Sequence, residues 1–124
     1  MRPRGFSKPI LTALNDGKII GIRAGRNHRF IGIWVVVVGG RVFVRPWNDK
    51  PDGWYRAFLE DSQGALTIGD REVRVRAKPV RSERLRDAVD RAYAEKYSTP
   101  GSRKYVIGFA RSRRRATTTE LLPR

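Results

Sequence analysis

Residues Phe30 to Arg45 read FIGIWVVVVGGRVFVR, and the fold is decided by how that stretch is read. Phe30 to Val38 is continuous, apolar and rich in β-branched side chains. That pattern predicts a central strand buried on both faces. Gly39-Gly40 then supplies two positive-φ positions, which glycine adopts without steric penalty, so a tight hairpin turn is expected there. Arg41 to Arg45 returns as the partner strand.

The same reasoning extends outward. Lys18 to Arg23 reads as a strand, followed by a loop at Ala24 to Arg29. Gly64 to Ile68 and Glu72 to Val80 form a second hairpin, closed by Gly69-Asp70-Arg71. Its second arm alternates Val73, Val75 and Ala77 with Arg74, Arg76 and Lys78, giving one apolar face and one basic row. Ser82 is a helix N-cap. Leu85, Ala88, Val89, Ala92 and Tyr93 follow at helical spacing and make one apolar stripe. Ser98-Thr99-Pro100-Gly101 stops that helix. A short helix is expected at Pro9 to Leu14, and Trp54 to Asp61 either starts a short helix or ends the preceding loop. Lys104 to Ala110 reads as a strand, Arg111 to Arg115 as a turn, and Ala116 to Leu122 as the last strand.

The expected fold class is mainly β, a β-barrel with α: six to seven antiparallel strands and one main helix at about 82–97. Residues 1–9 read as a flexible basic arm and residues 10–124 as a single domain.

Composition narrows the function. The 124 residues include 27 Lys and Arg against 12 Asp and Glu, a net charge of +15. Such a charge points to anionic partners: nucleic acid, phosphorylated cofactors or an anionic membrane surface. An Arg-rich composition accounts for part of it without any partner. Hydrophobic residues make up 40 %, enough for a core. The absence of cysteine excludes disulfides, thiolate zinc sites and a cysteine nucleophile. His28 is the only histidine, which disfavours a multi-histidine metal centre within one chain. No Walker-type loop and no Ser/His/Asp order is present. No apolar run approaches the ~20 residues of a membrane span, and no signal-peptide core follows the basic N-terminus. A cytoplasmic protein is expected.

The order of a Gly-Arg loop, IWVVVVGGRVFVRPW, GWYRAF, a hairpin and RDAVDRAYAEKY resembles the split β-barrel flavin-binding superfamily. That superfamily includes pyridoxamine phosphate oxidase-like proteins. Within it the chain resembles a group of small bacterial domains of unknown function, similar to the deazaflavin-dependent nitroreductases. The helix ending Ala92-Tyr93-Ala94-Glu95-Lys96-Tyr97 and the terminal Leu122-Pro123-Arg124 add to that match. The resemblance covers Ile19 to the C-terminus. It implies a split barrel, a homodimer, and FMN or a deazaflavin coenzyme at or near the subunit interface.

In the nitroreductases a Gly-Arg-Lys-Ser-Gly-x-x-Arg loop handles the cofactor phosphate. Gly25-Arg26-Asn27-His28-Arg29 stands at that place, matching at Gly25 and Arg26 and departing at Lys-Ser-Gly. The family's Val-Ala-Ser-Lys corresponds to Val44-Arg45-Pro46-Trp47. Its Trp-Tyr-x-Asn corresponds to Trp54-Tyr55-Arg56-Ala57, with Ala57 in place of Asn.

The residues argue for the same places on physical grounds. A phosphate needs convergent cations and backbone donors, and arginine's planar fork suits its oxygens. Arg26, Arg29, Arg45 and Arg56 are candidates, with Gly25 allowing close approach. A planar ring needs aromatic walls, which Trp34, Trp47, Trp54 and Tyr55 offer. Trp34 lies in the most apolar strand, so core packing is its simpler role.

Three readings follow. The first is a flavin- or deazaflavin-binding split barrel acting as an oxidoreductase by hydride transfer, the cofactor carrying the chemistry. The second is a nucleic-acid-binding barrel that uses Arg74, Arg76, Lys78 and Arg111, Arg113, Arg114, Arg115, with Tyr105 and Phe109 stacking bases. The third is a structural or interaction barrel that has lost its cofactor.

Overall fold

The computed structural model describes residues 5–25, 29–48, 50 and 53–124. Seven strands pair antiparallel throughout: β1 (Ile20–Ala24), β2 (Ile31–Ile33), β3 (Val35–Val38), β4 (Arg41–Val44), β5 (Gln63–Ile68), β6 (Arg71–Pro79) and β7 (Thr119–Pro123). Their order across the sheet is β2-β1-β5-β6-β7-β4-β3.

That order corrects the reading of the opening stretch. The run from Phe30 to Val38 is two strands, and they are the two ends of the sheet. Only Trp34 separates them, and one residue cannot bridge a flat sheet of seven strands. The sheet must therefore curl until its ends meet, which makes a nearly closed barrel. The expectation of burial on both faces does hold for β3. Val35 packs into the barrel, and Val36 packs outward with Phe43 against Val89, Tyr93 and Tyr97. A helix covers the outer face there, so an end strand acquires the apolar pattern of a central one.

Both hairpins form where glycine permits them. Gly39 and Gly40 have φ of 57° and 78°, and Gly69 has φ of 60°. Val73 and Val75 point inward from β6, while Arg74 and Arg76 are exposed. The barrel interior is filled by Ile20, Ile22, Val35, Val42, Val44, Leu66, Val75 and Leu121.

Helix α1 (Lys8–Asp16) and helix α2 (Trp54–Glu60) contribute Leu14 and Phe58 to that core. Phe6 is buried with them, and α1 takes in the last two residues of the expected basic arm. Residues 1–4 lie outside the described residues. The main helix, α3 (Glu83–Lys96), is capped as expected: the Leu85 N–H donates to the Ser82 hydroxyl at 3.2 Å.

The region after it differs from the sequence reading. Arg103–Phe109 is a helix, α4, entered through a 3-10 turn at Pro100–Ser102. Ser112–Ala116 is a short helix, α5, where a turn was expected, and the last strand starts only at Thr119. Proline suits the first turn of a helix, where its missing N–H has no partner to lose. Tyr105 and Phe109, four residues apart, then lie on one face of α4. No helix among the described residues is long and apolar enough to cross a membrane.

Candidate functional site

Beside the point where the sheet's ends meet lies a cleft of about 650 Å³. Ile31, Gly32 and Ile33 of β2 form one wall. As an end strand, β2 has one edge without a strand partner among the described residues, and such an edge offers backbone donors and acceptors. The other walls are aromatic: Trp34, Trp47, Trp54, Tyr55, Tyr105 and Phe109. Arg29, Arg45, Asn48, Lys50 and Gly53 complete the lining, so among the described residues these walls are apolar with positive charge and carry no carboxylate.

The aromatic walls are held by identifiable contacts. Trp34 stacks on Tyr97 with centroids 4.0 Å apart, and its carbonyl accepts from the Tyr93 hydroxyl at 2.8 Å. Trp47 meets Tyr105 and Phe109 edge-on at 5.3 and 5.2 Å. Arg114 lies 3.8 Å above the Trp47 ring, and its Nε donates to the Trp47 carbonyl at 2.7 Å. Gly108 makes that placement possible, because a Cβ there would stand 2.6 Å from Trp47 Cη2. Trp47 nonetheless stays 41 % exposed.

Arg45 takes a different part from the one its sequence position implies. Its side chain is fully enclosed. Nε donates to Thr118 Oγ1 at 2.8 Å, and Nη1 to Asp90 Oδ1 at 2.5 Å and to the Phe109 carbonyl at 2.8 Å. Nη2 donates to the Arg86 carbonyl at 2.9 Å. Its backbone N–H donates to the Tyr93 hydroxyl at 3.2 Å. Burial pushes the Tyr93 phenol well above its ordinary pKa, so Tyr93 stays a neutral linker. Arg45 therefore ties β4 to α3 and α4 beneath the cleft, and its guanidinium is not offered to a phosphate.

The other candidates divide. Arg29, Trp47, Trp54 and Tyr55 meet in the cleft. Gly25 adopts φ of 70° and donates its N–H to the Gln63 carbonyl at 2.8 Å, without lining the cleft. Arg26, Asn27 and His28 lie outside the described residues. Pro46 lines an adjoining hollow. Arg56 is exposed on α2 and does not line the cleft.

Asn48, Lys50, Tyr105, Phe109 and the β2 backbone were not expected in this cleft. Tyr105 and Phe109 carried a signal, their spacing of four after Pro100, which the strand reading obscured. No local signal marks Lys50.

Residues 12–121 match a family described as "Uncharacterized protein conserved in bacteria (DUF2255)". None of the curated proteins matches the chain. Two solved structures share the fold. One is the conserved hypothetical protein Rv2991 from Mycobacterium tuberculosis, at 14 % identity and a TM-score of 0.62, covering 98 % of this chain and 83 % of that one. The other is a FAD-binding protein (mll6688) from Mesorhizobium loti, at 10 % identity and a TM-score of 0.56, covering 98 % and 92 %.

Proposed function

The chain belongs to that uncharacterised bacterial family, and we propose that its cleft holds a flavin-type cofactor, FMN or a deazaflavin. The carrying observation is the cleft itself: aromatic walls, one strand edge and, besides the enclosed Arg45, the cations Arg29 and Lys50, in a volume of about 650 Å³ that falls within the range of ligand sites. The fold is shared with a FAD-binding protein, which supports the reading without establishing it.

The residues present suit such a group. Trp47, Trp54 and Tyr105 offer faces and edges to a planar ring. Backbone groups on the free edge of β2 can hydrogen-bond the polar rim of that ring. Arg29 and Lys50 side chains make no ion pair among the described residues and are available to a phosphate. When bound, the group supplies hydride transfer, and the protein supplies orientation and exclusion of water. Tyr55 and Tyr105 carry the hydroxyls at hand for a substrate, since neither is taken by a hydrogen bond among the described residues. We also propose a homodimer: Ile19 and Ile31, 62 % and 46 % exposed, stand beside Gly32 at the cleft and suit a second copy.

Titrating the purified protein with FMN and with a deazaflavin, read by quenching of ring fluorescence, tests this. Arg29→Ala should weaken binding roughly tenfold or more, the worth of one charge-assisted hydrogen bond.

A second reading rests on the outer face of β6, where Arg74, Arg76 and Lys78 are exposed in a row. A single-stranded nucleic acid bound there would dissociate steeply with salt. Arg114 and Arg115 take less part in it than the sequence implied, because both are engaged within the protein.

A further inference from the structure

The proposed function leaves a neighbouring feature unused. A hollow of about 670 Å³ adjoins the aromatic cleft and shares Trp47 and Asn48 with it. Arg111, Arg113, Arg114 and Thr117 line the hollow. Among the described residues it therefore presents three guanidinium groups and no carboxylate.

The local sequence explains why this charge is uncompensated. Five residues, Arg111 to Arg115, hold four arginines, and α5 divides them. Arg115 turns toward α3, where it meets Glu83 at 2.8 Å, Asp87 at 2.9 Å and also Asp90. Arg114 is held against Trp47 and donates to the carbonyls of Trp47 and Gly108, at 2.7 and 3.2 Å. Those carbonyls are neutral, so its charge is retained at the hollow. Arg111 and Arg113 are exposed, and their side chains make no hydrogen bond or ion pair among the described residues. A concave surface lined by one sign of charge concentrates the field on a bound anion. Arginine forks add paired bonds to phosphate oxygens.

We infer that this hollow binds the distal phosphate and second nucleoside of a dinucleotide whose ring occupies the aromatic cleft. The inference rests on the function proposed above and sharpens it. A mononucleotide ends at one phosphate, for which Arg29 and Lys50 suffice, and it leaves Arg111 and Arg113 without a role. A dinucleotide passing Trp47 and Asn48 reaches them. Trp47 then separates the two halves of the ligand, its exposed surface serving both.

The experiment is an equilibrium titration of wild type and of the Arg111→Ala/Arg113→Ala double variant with FMN and with FAD. Both side chains are exposed, so the fold is retained, which circular dichroism checks. Wild type is expected to bind FAD roughly tenfold tighter than FMN, about one charge-assisted contact. The double variant is expected to lose that preference with FMN binding unchanged. ADP, the tail without the ring, should displace FAD and leave FMN in place. Equal affinities in wild type, or a FAD preference that survives in the double variant, overturn the inference and leave the flavin cleft standing. Binding of neither flavin overturns the inference, and failure to bind a deazaflavin as well overturns the flavin-type cleft with it.

Discussion

Two sets of basic side chains in this molecule behave oppositely. On one side, Arg45 and Arg115 converge on α3. Arg45 is enclosed and bonded to Asp90, Thr118 and two carbonyls, and Arg115 bonds to Glu83, Asp87 and Asp90. On the other, Arg29, Lys50, Arg111 and Arg113 line concave surfaces that contain no carboxylate among the described residues. The first set is neutralised and holds helices to the barrel. The second retains its charge and faces solvent. A net charge of +15 therefore carries two messages, and only geometry separates them.

Removing Arg45 should break the comparison most severely. Arg45→Met removes the enclosed one of Asp90's two arginine partners and takes this donor away from Thr118 and two carbonyls. The loss of stability should be roughly 3 kcal/mol, the low end for broken buried pairs, because Asp90 keeps Arg115. Chemical denaturation measures it. A loss below about 1 kcal/mol, the value of an exposed pair, would remove the distinction between the two regions.

Gly108→Ala comes next. The added methyl must displace the Trp47 ring, since its Cβ would stand 2.6 Å from Cη2. Overpacking of this kind costs about 1–3 kcal/mol in a rigid core, and the lower end is expected because Trp47 is partly exposed. Flavin affinity should fall as the wall moves. Unchanged stability and unchanged tryptophan fluorescence would show that Trp47 is not held there.

How much of this was legible in the sequence follows from the range of each interaction. Both hairpins and the Ser82 cap depend on neighbours in the chain, and Gly39-Gly40, Gly69 and Ser82 announced them. The division of Phe30 to Val38 did not show, because Trp34 is as apolar as its neighbours and nothing local marks a sheet end. Lys104 to Ala110 reads as a strand because the run is short and apolar in part. Its helical nature lay in Pro100 and in the Tyr105–Phe109 spacing. Of the site, Arg29, Trp47, Trp54 and Tyr55 were readable as loop or element-end residues. The fate of Arg45 was not, because Asp90 and Thr118 are distant in sequence and meet it only in the folded barrel. Lys50 likewise gains its meaning only from what surrounds it.

The smallest effect is expected from pH. Lys96 donates to the Leu14 and Val35 carbonyls, and burial lowers its pKa from 10.5 to about 8. Between those values the unfolded chain binds more protons at this residue than the folded one. Its contribution to stability therefore rises with pH from about 8. Tyr93 and Tyr97, both held above the ordinary phenol value by burial, act in the opposite sense above pH 10. Melting temperature across pH 7.5 to 9.5 should rise in wild type and rise less in Lys96→Met. An identical slope in the two would exclude Lys96 as the source.

The central claim is that the unneutralised side of the molecule exists to hold a flavin-type ligand. Its most direct test is titration of wild type and of Arg29→Ala/Lys50→Ala with FMN, FAD and a deazaflavin, followed by ring fluorescence. The account predicts saturable binding of at least one of them by wild type, and a loss of roughly tenfold or more in a variant whose melting temperature is unchanged. No binding of any of the three, or equal binding by both proteins, would contradict it.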